Sequence, residues 1–99
     1  MLALRPNCEC CDKDLPPEST EAMICSFECT FCADCVSGVL QNVCPNCGGE
    51  LVRRPVRPAK KRITAPASNE RVYKPLTGER LEKHAAYVKR YHGIAPTQR

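Results

Sequence analysis

The sequence predicts a small α+β domain cross-linked through its cysteines, followed by a basic tail carrying one helix. Three observations predict it. All nine cysteines of the 99-residue chain lie between Cys8 and Cys47. Eight of them fall into four closely spaced pairs. Charge divides the chain at the same place: residues 1–50 hold two basic against eight acidic residues, a formal −6, and residues 51–99 hold thirteen basic against three acidic, a formal +10.

Cross-linking is needed because the cysteine half is poor in apolar material. Its larger apolar side chains, from Leu2 to Leu51, number twelve, and segments of about 50 residues commonly need disulfides or metal to fold alone. Disulfides fit badly. Nine is an odd count. Only "MLAL" precedes Arg5 and Pro6, shorter than the roughly 7–15 apolar residues of a secretory leader. No apolar run approaches the ~18 residues of a membrane span. The expectation is a cytoplasmic protein without membrane contact, where thiols stay reduced and clustered cysteines serve metal.

The spacing supports this. "CADC" (Cys32, Cys35) and "CPNC" (Cys44, Cys47) are C-x2-C turns that aim two thiolates at one tetrahedral ion. Gly48 and Gly49 follow the second and let the backbone curl its N–H groups toward the sulfurs. Cys8 and Cys11 make a third pair of this form, and Cys25 and Cys29 a C-x3-C pair. Eight thiolates complete two four-cysteine sites. The donor set suits zinc better than iron–sulfur clusters, whose familiar runs are missing. Full coordination leaves no position for water, so the expected cofactors are two structural Zn2+ ions, each contributing about 10–16 kcal/mol to folding. Cys29 and Cys32 are neighbours in sequence, so two adjacent sites must share this strip. Interleaved and sequential pairing of the four pairs both remain open on spacing alone.

The string from Cys8 to Cys47 resembles the RING-finger pattern, a cross-brace (treble-clef-like) fold in which ligand pairs alternate between two zinc ions. The resemblance implies Cys8, Cys11, Cys32 and Cys35 in one site and Cys25, Cys29, Cys44 and Cys47 in the other. RING domains commonly recruit a ubiquitin-conjugating enzyme, through an aliphatic residue before the second ligand, a tryptophan in the central helix and a proline in the last knuckle. Pro45 is present, but Cys10 occupies the aliphatic position, the chain has no tryptophan, and Gly48 stands where a basic residue often follows the last ligand. Residues 2–55 also resemble a family of short bacterial cysteine-rich proteins of no assigned function, through "LRPNCECCDKDLPPES", "CSFECTFCADC" and "CPNCGGELVRRP". A bacterial setting lacks the ubiquitin machinery.

Local patterns fill in the rest of residues 1–54. "EAMICSF" and "CTF" predict a hairpin around Cys25 and Cys29. "VSGVLQNV" predicts two helical turns with Val36, Val39, Leu40 and Val43 on the inner face, weakened by Gly38. "ELVRR" predicts a closing strand, and "KDLPPEST" a loop. Cys10 is a spare thiol, read as small apolar filler beside Cys11, as a reactive group, or as a ligand in place of Cys8 or Cys11.

Residues 55–76 read as an extended, basic, proline-rich linker. Around its start, "RRPVRPAKKR" packs Arg53, Arg54, Arg57, Lys60, Lys61 and Arg62 without an acid. These six are candidate contacts for nucleic acid or a partner protein, or for the chain's own acidic half. Residues 77–93 predict an amphipathic helix with Thr77 at its start, Gly93 past its end, and Leu81, Ala85, Val88 and Tyr91 or His92 on one face. His84 and His92 are expected on its surface, and Tyr73, Tyr87 and Tyr91 as packing residues. Residues 94–99 form a short tail.

The functional expectation is a non-enzymatic zinc-binding module acting in protein–protein interaction, with a protein as partner and no small-molecule substrate. No open metal position, catalytic triad or phosphate-binding loop is evident in the sequence. Nucleic-acid binding through residues 53–62 and the tail helix is the second reading, and RING-type ubiquitin ligation the third.

Overall fold

A computed structural model describes all residues, 1–99. The elements in chain order are β1 (Ala22–Ile24), β2 (Thr30–Cys32), α1 (Ala33–Ser37), β3 (Val52–Arg53), α2 (Ala59–Thr64) and α3 (Gly78–Tyr91), with a final 3-10 turn at Pro96–Gln98. β1 is the middle strand of a three-stranded antiparallel sheet of order β2-β1-β3. Its register pairs Met23 with both Phe31 and Arg53. Ala22 and Ile24 consequently point inward, and all three residues of β2 are buried.

The interior is small and organised around sulfur. Its cluster of 11 buried residues includes five cysteines, Cys8, Cys25, Cys29, Cys32 and Cys44, packed with Leu15, Ala22, Phe31, Val36, Leu40 and Leu51. The predicted hairpin and closing strand are present, though shorter than their sequence patterns. Cys25 and Cys29 form the turn between β1 and β2, where Cys25 N–H donates to Cys29 O at 3.2 Å.

The central helix departs from expectation. It occupies Ala33–Ser37 rather than the segment from Val36 to Val43, and it stops at Gly38. The chain then turns through Gln41 and Asn42, both at positive φ, a backbone that no continuing helix can contain. Val36, Leu40 and Val43 are buried as predicted, but Val39 faces solvent. Loss of helical period after Gly38 takes Val39 off the inner face.

Residues 55–76 contain α2, with Pro58 at its N-terminal boundary. The prolines lie outside that helix, and its Ala, Lys and Arg residues are strong helix formers. Residues 66–77 then run as a strap along the N-terminal segment. Ser68 N–H donates to Ala3 O (2.9 Å), Asn7 Nδ2 to Val72 O (2.8 Å) and Lys74 N–H to Glu9 O (2.8 Å). The Arg71 guanidinium reaches Asp12 and Asp14, each at 2.8 Å. Basic tail thus lies on acidic module.

Helix α3 packs against the loop around Cys44. Its inward face carries His84, Tyr87, Val88 and Tyr91, while Leu81, Ala85 and His92 are exposed. The face is rotated from the one expected because a histidine anchors it. His84 is only 2% exposed, with Nε2 2.9 Å from Val43 O. Beyond the helix, Arg99 Nη1 donates to Asn42 O and Gly48 O at 3.2 and 3.1 Å.

Candidate metal centre

Four cysteines from three local structures meet at the first cluster. Cys8 and Cys11 sit on a turn closed by hydrogen bonds from Asp12 N–H to Cys8 O and from Cys8 N–H to Lys13 O, both 2.8 Å. Asp12, at φ +64°, turns the chain out of that loop. Cys32 ends β2, and Cys35 follows one helical turn later in α1. The Sγ atoms of Cys8, Cys11, Cys32 and Cys35 all lie within 4.8 Å of one another.

At the second cluster, Cys25 comes from the β1–β2 turn, and Cys44 and Cys47 from the C-P-N-C knuckle. Their three sulfurs lie within 4.8 Å of one another. Cys29 falls outside that mutual set, but its thiol lies beside those of Cys44 and Cys25 and beside the Asn46 side chain. The knuckle is closed by Gly48 N–H donating to Cys44 O (2.8 Å) and Cys44 N–H to Gly49 O (2.9 Å). Gly49 N–H points at Cys47 Sγ from 3.4 Å. Gly48 has φ +76°, and a Cβ there would lie 2.8 Å from the Tyr91 ring. Glycine is required twice over, for the turn and for the helix packed on it.

The sets interleave along the chain. The first takes sulfurs from both sides of Cys25, and the sequential alternative of Cys8 and Cys11 with Cys25 and Cys29 is not formed.

The donors fit a soft divalent ion. In a tetrahedron with Zn–S of about 2.3 Å, adjacent sulfurs are about 3.8 Å apart. Cys11 Sγ and Cys32 Sγ are 3.7 Å apart. Two four-cysteine groups, Cys8/Cys11/Cys32/Cys35 and Cys25/Cys29/Cys44/Cys47, could therefore hold two metal ions, and thiolate donors are consistent with zinc.

Thiol acidities describe the clusters before a cation enters. The Cys44 hydrogen bond, aided by Asn46 and Cys25, pulls Cys29 down to about 5. Donating that bond, together with burial, pushes Cys44 up. Burial raises Cys25 to about 11 and is also the main cause of the upward shift at Cys35. In the second cluster negative charge therefore favours Cys29 over Cys25 and Cys44. A dication bound there must displace the remaining protons.

Cys10 stands outside both sets. It is half-buried, with its sulfur beside the Cys35 thiol and the Leu76 backbone N–H, and burial raises its pKa. The six basic candidates divide. Arg53, Lys60 and Lys61 are exposed. Arg54 is 2% exposed and donates to Arg5 O (2.8 Å), Pro16 O (3.0 Å) and Leu15 O (3.3 Å). Arg57 donates to the carbonyls of Ala65 and Leu2, and Arg62 pairs with Glu18 at 3.3 Å. Three of the six are therefore engaged by the chain itself.

The sequence pattern did not single out Glu9 and Asn46. Glu9 is 1% exposed. Its carboxylate accepts from Thr30 N–H (2.8 Å), Arg5 Nη1 (3.0 Å) and Asn46 Nδ2 (3.4 Å). A carboxylate inside the turn between the ligands Cys8 and Cys11, in "CECC", was the available signal, since such a group is buried only with partners.

No helix is long and apolar enough to cross a membrane. No solved structure matches the chain. Among curated proteins, Uncharacterized protein R02474 of Rhizobium meliloti (strain 1021) is 69% identical over 75 residues, covering 76% of this chain and 89% of the relative. Residues 1–57, which hold every cysteine, match the model of a family described as "Protein of unknown function (DUF1272)", and the chain belongs to that family.

Proposed function

We propose that the chain is a non-enzymatic, RING-like double-zinc module whose tail-covered surface serves protein–protein interaction in the cytoplasm. The observation that carries this reading is the gathering of cysteines into two interleaved clusters at the centre of an otherwise meagre core. Cys8, Cys11, Cys32 and Cys35 hold one ion, and Cys25, Cys29, Cys44 and Cys47 the other. Each ion, when bound, neutralises thiolates and fixes the loops that carry them. The protein's own contributions are the N–H groups of the Gly48–Gly49 curl, the Thr30 and Glu9 hydrogen bonds at the seam, and α3 laid over the second knuckle.

The ligase reading loses ground on geometry. Leu76 packs against the core beside Cys10, and Pro45 lines a cleft with Tyr87 and Arg90 of α3. By resemblance, Cys10 and Pro45 are two positions of a RING recruiting surface, and both lie beside residues of the chain's own tail. Nucleic-acid binding is the second reading, favoured by the exposure of Arg53, Lys60 and Lys61. It predicts affinity that falls steeply with salt and is lost when these three become alanine.

Elemental analysis and affinity capture test the main reading together. Wild type should carry two zinc ions per chain, and Cys32→Ser should lose at least one along with a reproducible set of captured proteins. Equal metal content in the variant counts against the ligand assignment. Equal capture despite lost metal counts against the interaction role.

A further inference from the structure

Glu9 joins the two clusters physically. It lies in the turn between Cys8 and Cys11, so its backbone moves with the first cluster. Its side chain leaves that turn and ends among groups of the second. One carboxylate oxygen accepts the N–H of Thr30, the residue after Cys29, at 2.8 Å. The other accepts from the Nδ2 of Asn46, inside the C-P-N-C knuckle, at 3.4 Å. The Asn46 side chain also lies beside Cys29. Backbone hydrogen bonding reinforces the link, since Glu9 N–H donates to Thr30 O at 2.9 Å.

Burial makes the arrangement costly unless every partner is in place. A carboxylate with its side chain only 2% exposed needs its hydrogen bonds and a counter-charge, which Arg5 supplies at 3.0 Å. Two of these partners exist in position only if the second cluster is formed. The carboxylate itself is in position only if the Cys8–Cys11 turn is formed. Each cluster therefore completes the environment of a group that the other positions.

We propose that Glu9 is a positioning residue that couples the two metal sites, so that loading one raises the affinity of the other for its ion. The inference rests on the double-zinc reading and adds to it the order of filling. Coupling between sites is reciprocal. Two independent, equal sites pass through a singly loaded form that peaks at about half of all molecules, and unequal independent sites exceed that. Coupling of about 100-fold, inside the usual 5–150-fold range, holds it to about a tenth.

Native mass spectrometry during a zinc titration of the metal-free full chain reads this population directly. Wild type should pass from zero to two ions with the singly loaded form well below half. Glu9→Gln keeps an acceptor for Thr30 but turns an amide donor toward Asn46. Asn46→Ala leaves Glu9 and every cysteine intact at an exposed position. Both should still load two ions while the singly loaded form rises to half or more, and Glu50→Gln, an exposed carboxylate near the same knuckle, should match wild type. If Glu9→Gln does not fold, Asn46→Ala decides. A majority singly loaded form in wild type, or an unchanged distribution in Asn46→Ala, overturns the coupling while leaving two zinc sites standing. Wild type that binds no zinc overturns both.

Discussion

Replacing Gly48 by alanine should test the junction between metal knuckle and tail. Two costs add. An L-residue at φ +76° pays about 1–2 kcal/mol for left-handed backbone. The new methyl would also stand 2.8 Å from Tyr91 Cε2 and 3.2 Å from Cδ2, so the ring must withdraw from the knuckle, at about 1–2 kcal/mol for overpacking. Together they predict a loss of about 2–4 kcal/mol in the metal-loaded protein. Urea denaturation of wild type, Gly48→Ala, Tyr91→Ala and the double variant separates the two. In the Tyr91→Ala background the alanine should cost only the backbone part, about 1–2 kcal/mol. Equal costs in both backgrounds would mean that the tyrosine does not rest on the glycine. A cost below about 0.5 kcal/mol would refute the left-handed turn itself.

Zinc affinity should rise with pH. Burial raises Cys25 to about 11, and Cys44 is raised by its bond to Cys29, so both carry protons near neutrality that a bound ion expels. Cys29, lowered to about 5, is already ionised there and adds no slope. Between pH 6 and 8 the second site should gain at least about 100-fold per pH unit, two protons at tenfold each, seen as proton release by calorimetry in buffers of different ionisation enthalpy. The raised value at Cys25 also favours the metal-free fold below pH 9, a contribution lost only as pH climbs toward 11, above the window of the zinc trend; release of no protons would refute the ligand set. His84→Ala should lower the melting temperature of the loaded protein through loss of about 1–3 kcal/mol, because Val43 O is left buried without its partner. Cys10→Ala should keep both ions and cost under about 1 kcal/mol; a fall to one ion would make Cys10 a ligand.

The cysteine pattern was legible because thiolate geometry is local: C-x2-C turns dictate where two sulfurs point, whatever surrounds them. The hairpin and closing strand followed from the same short range. Pairing between turns was not local, and only family resemblance favoured the interleaved sets over the sequential ones. The tail was harder. Apolar periodicity finds a helix over 77–93, which forms as Gly78–Tyr91, but it weighs histidine as polar, so it turned Leu81 inward where His84 goes. Arg54 defeats composition altogether. Its charge is buried against three carbonyls, and burial shifts its pKa downward without a carboxylate to oppose it. A guanidinium satisfied by main chain cannot be told from a solvated one in a basic run. The positive φ at Gln41 and Asn42 likewise comes from the path to Cys44, not from those residues' own preferences.

The basic tail has a place in this economy of charge. Two tetrathiolate zinc sites would add about −2 each to a module already at −6, giving about −10 beside a +10 tail. Arg71 on Asp12 and Asp14 and Arg62 on Glu18 are where that attraction is spent.

Native mass spectrometry of the purified chain, before and after chelation, measures the central dependence most directly. Two zinc ions per chain on a narrow, low-charge envelope, widening to the high charge states of an expanded polypeptide once the metal leaves, is the result expected. A chain that keeps its narrow envelope with nine free thiols and no ion would show that sulfur-bound metal is not what holds it together.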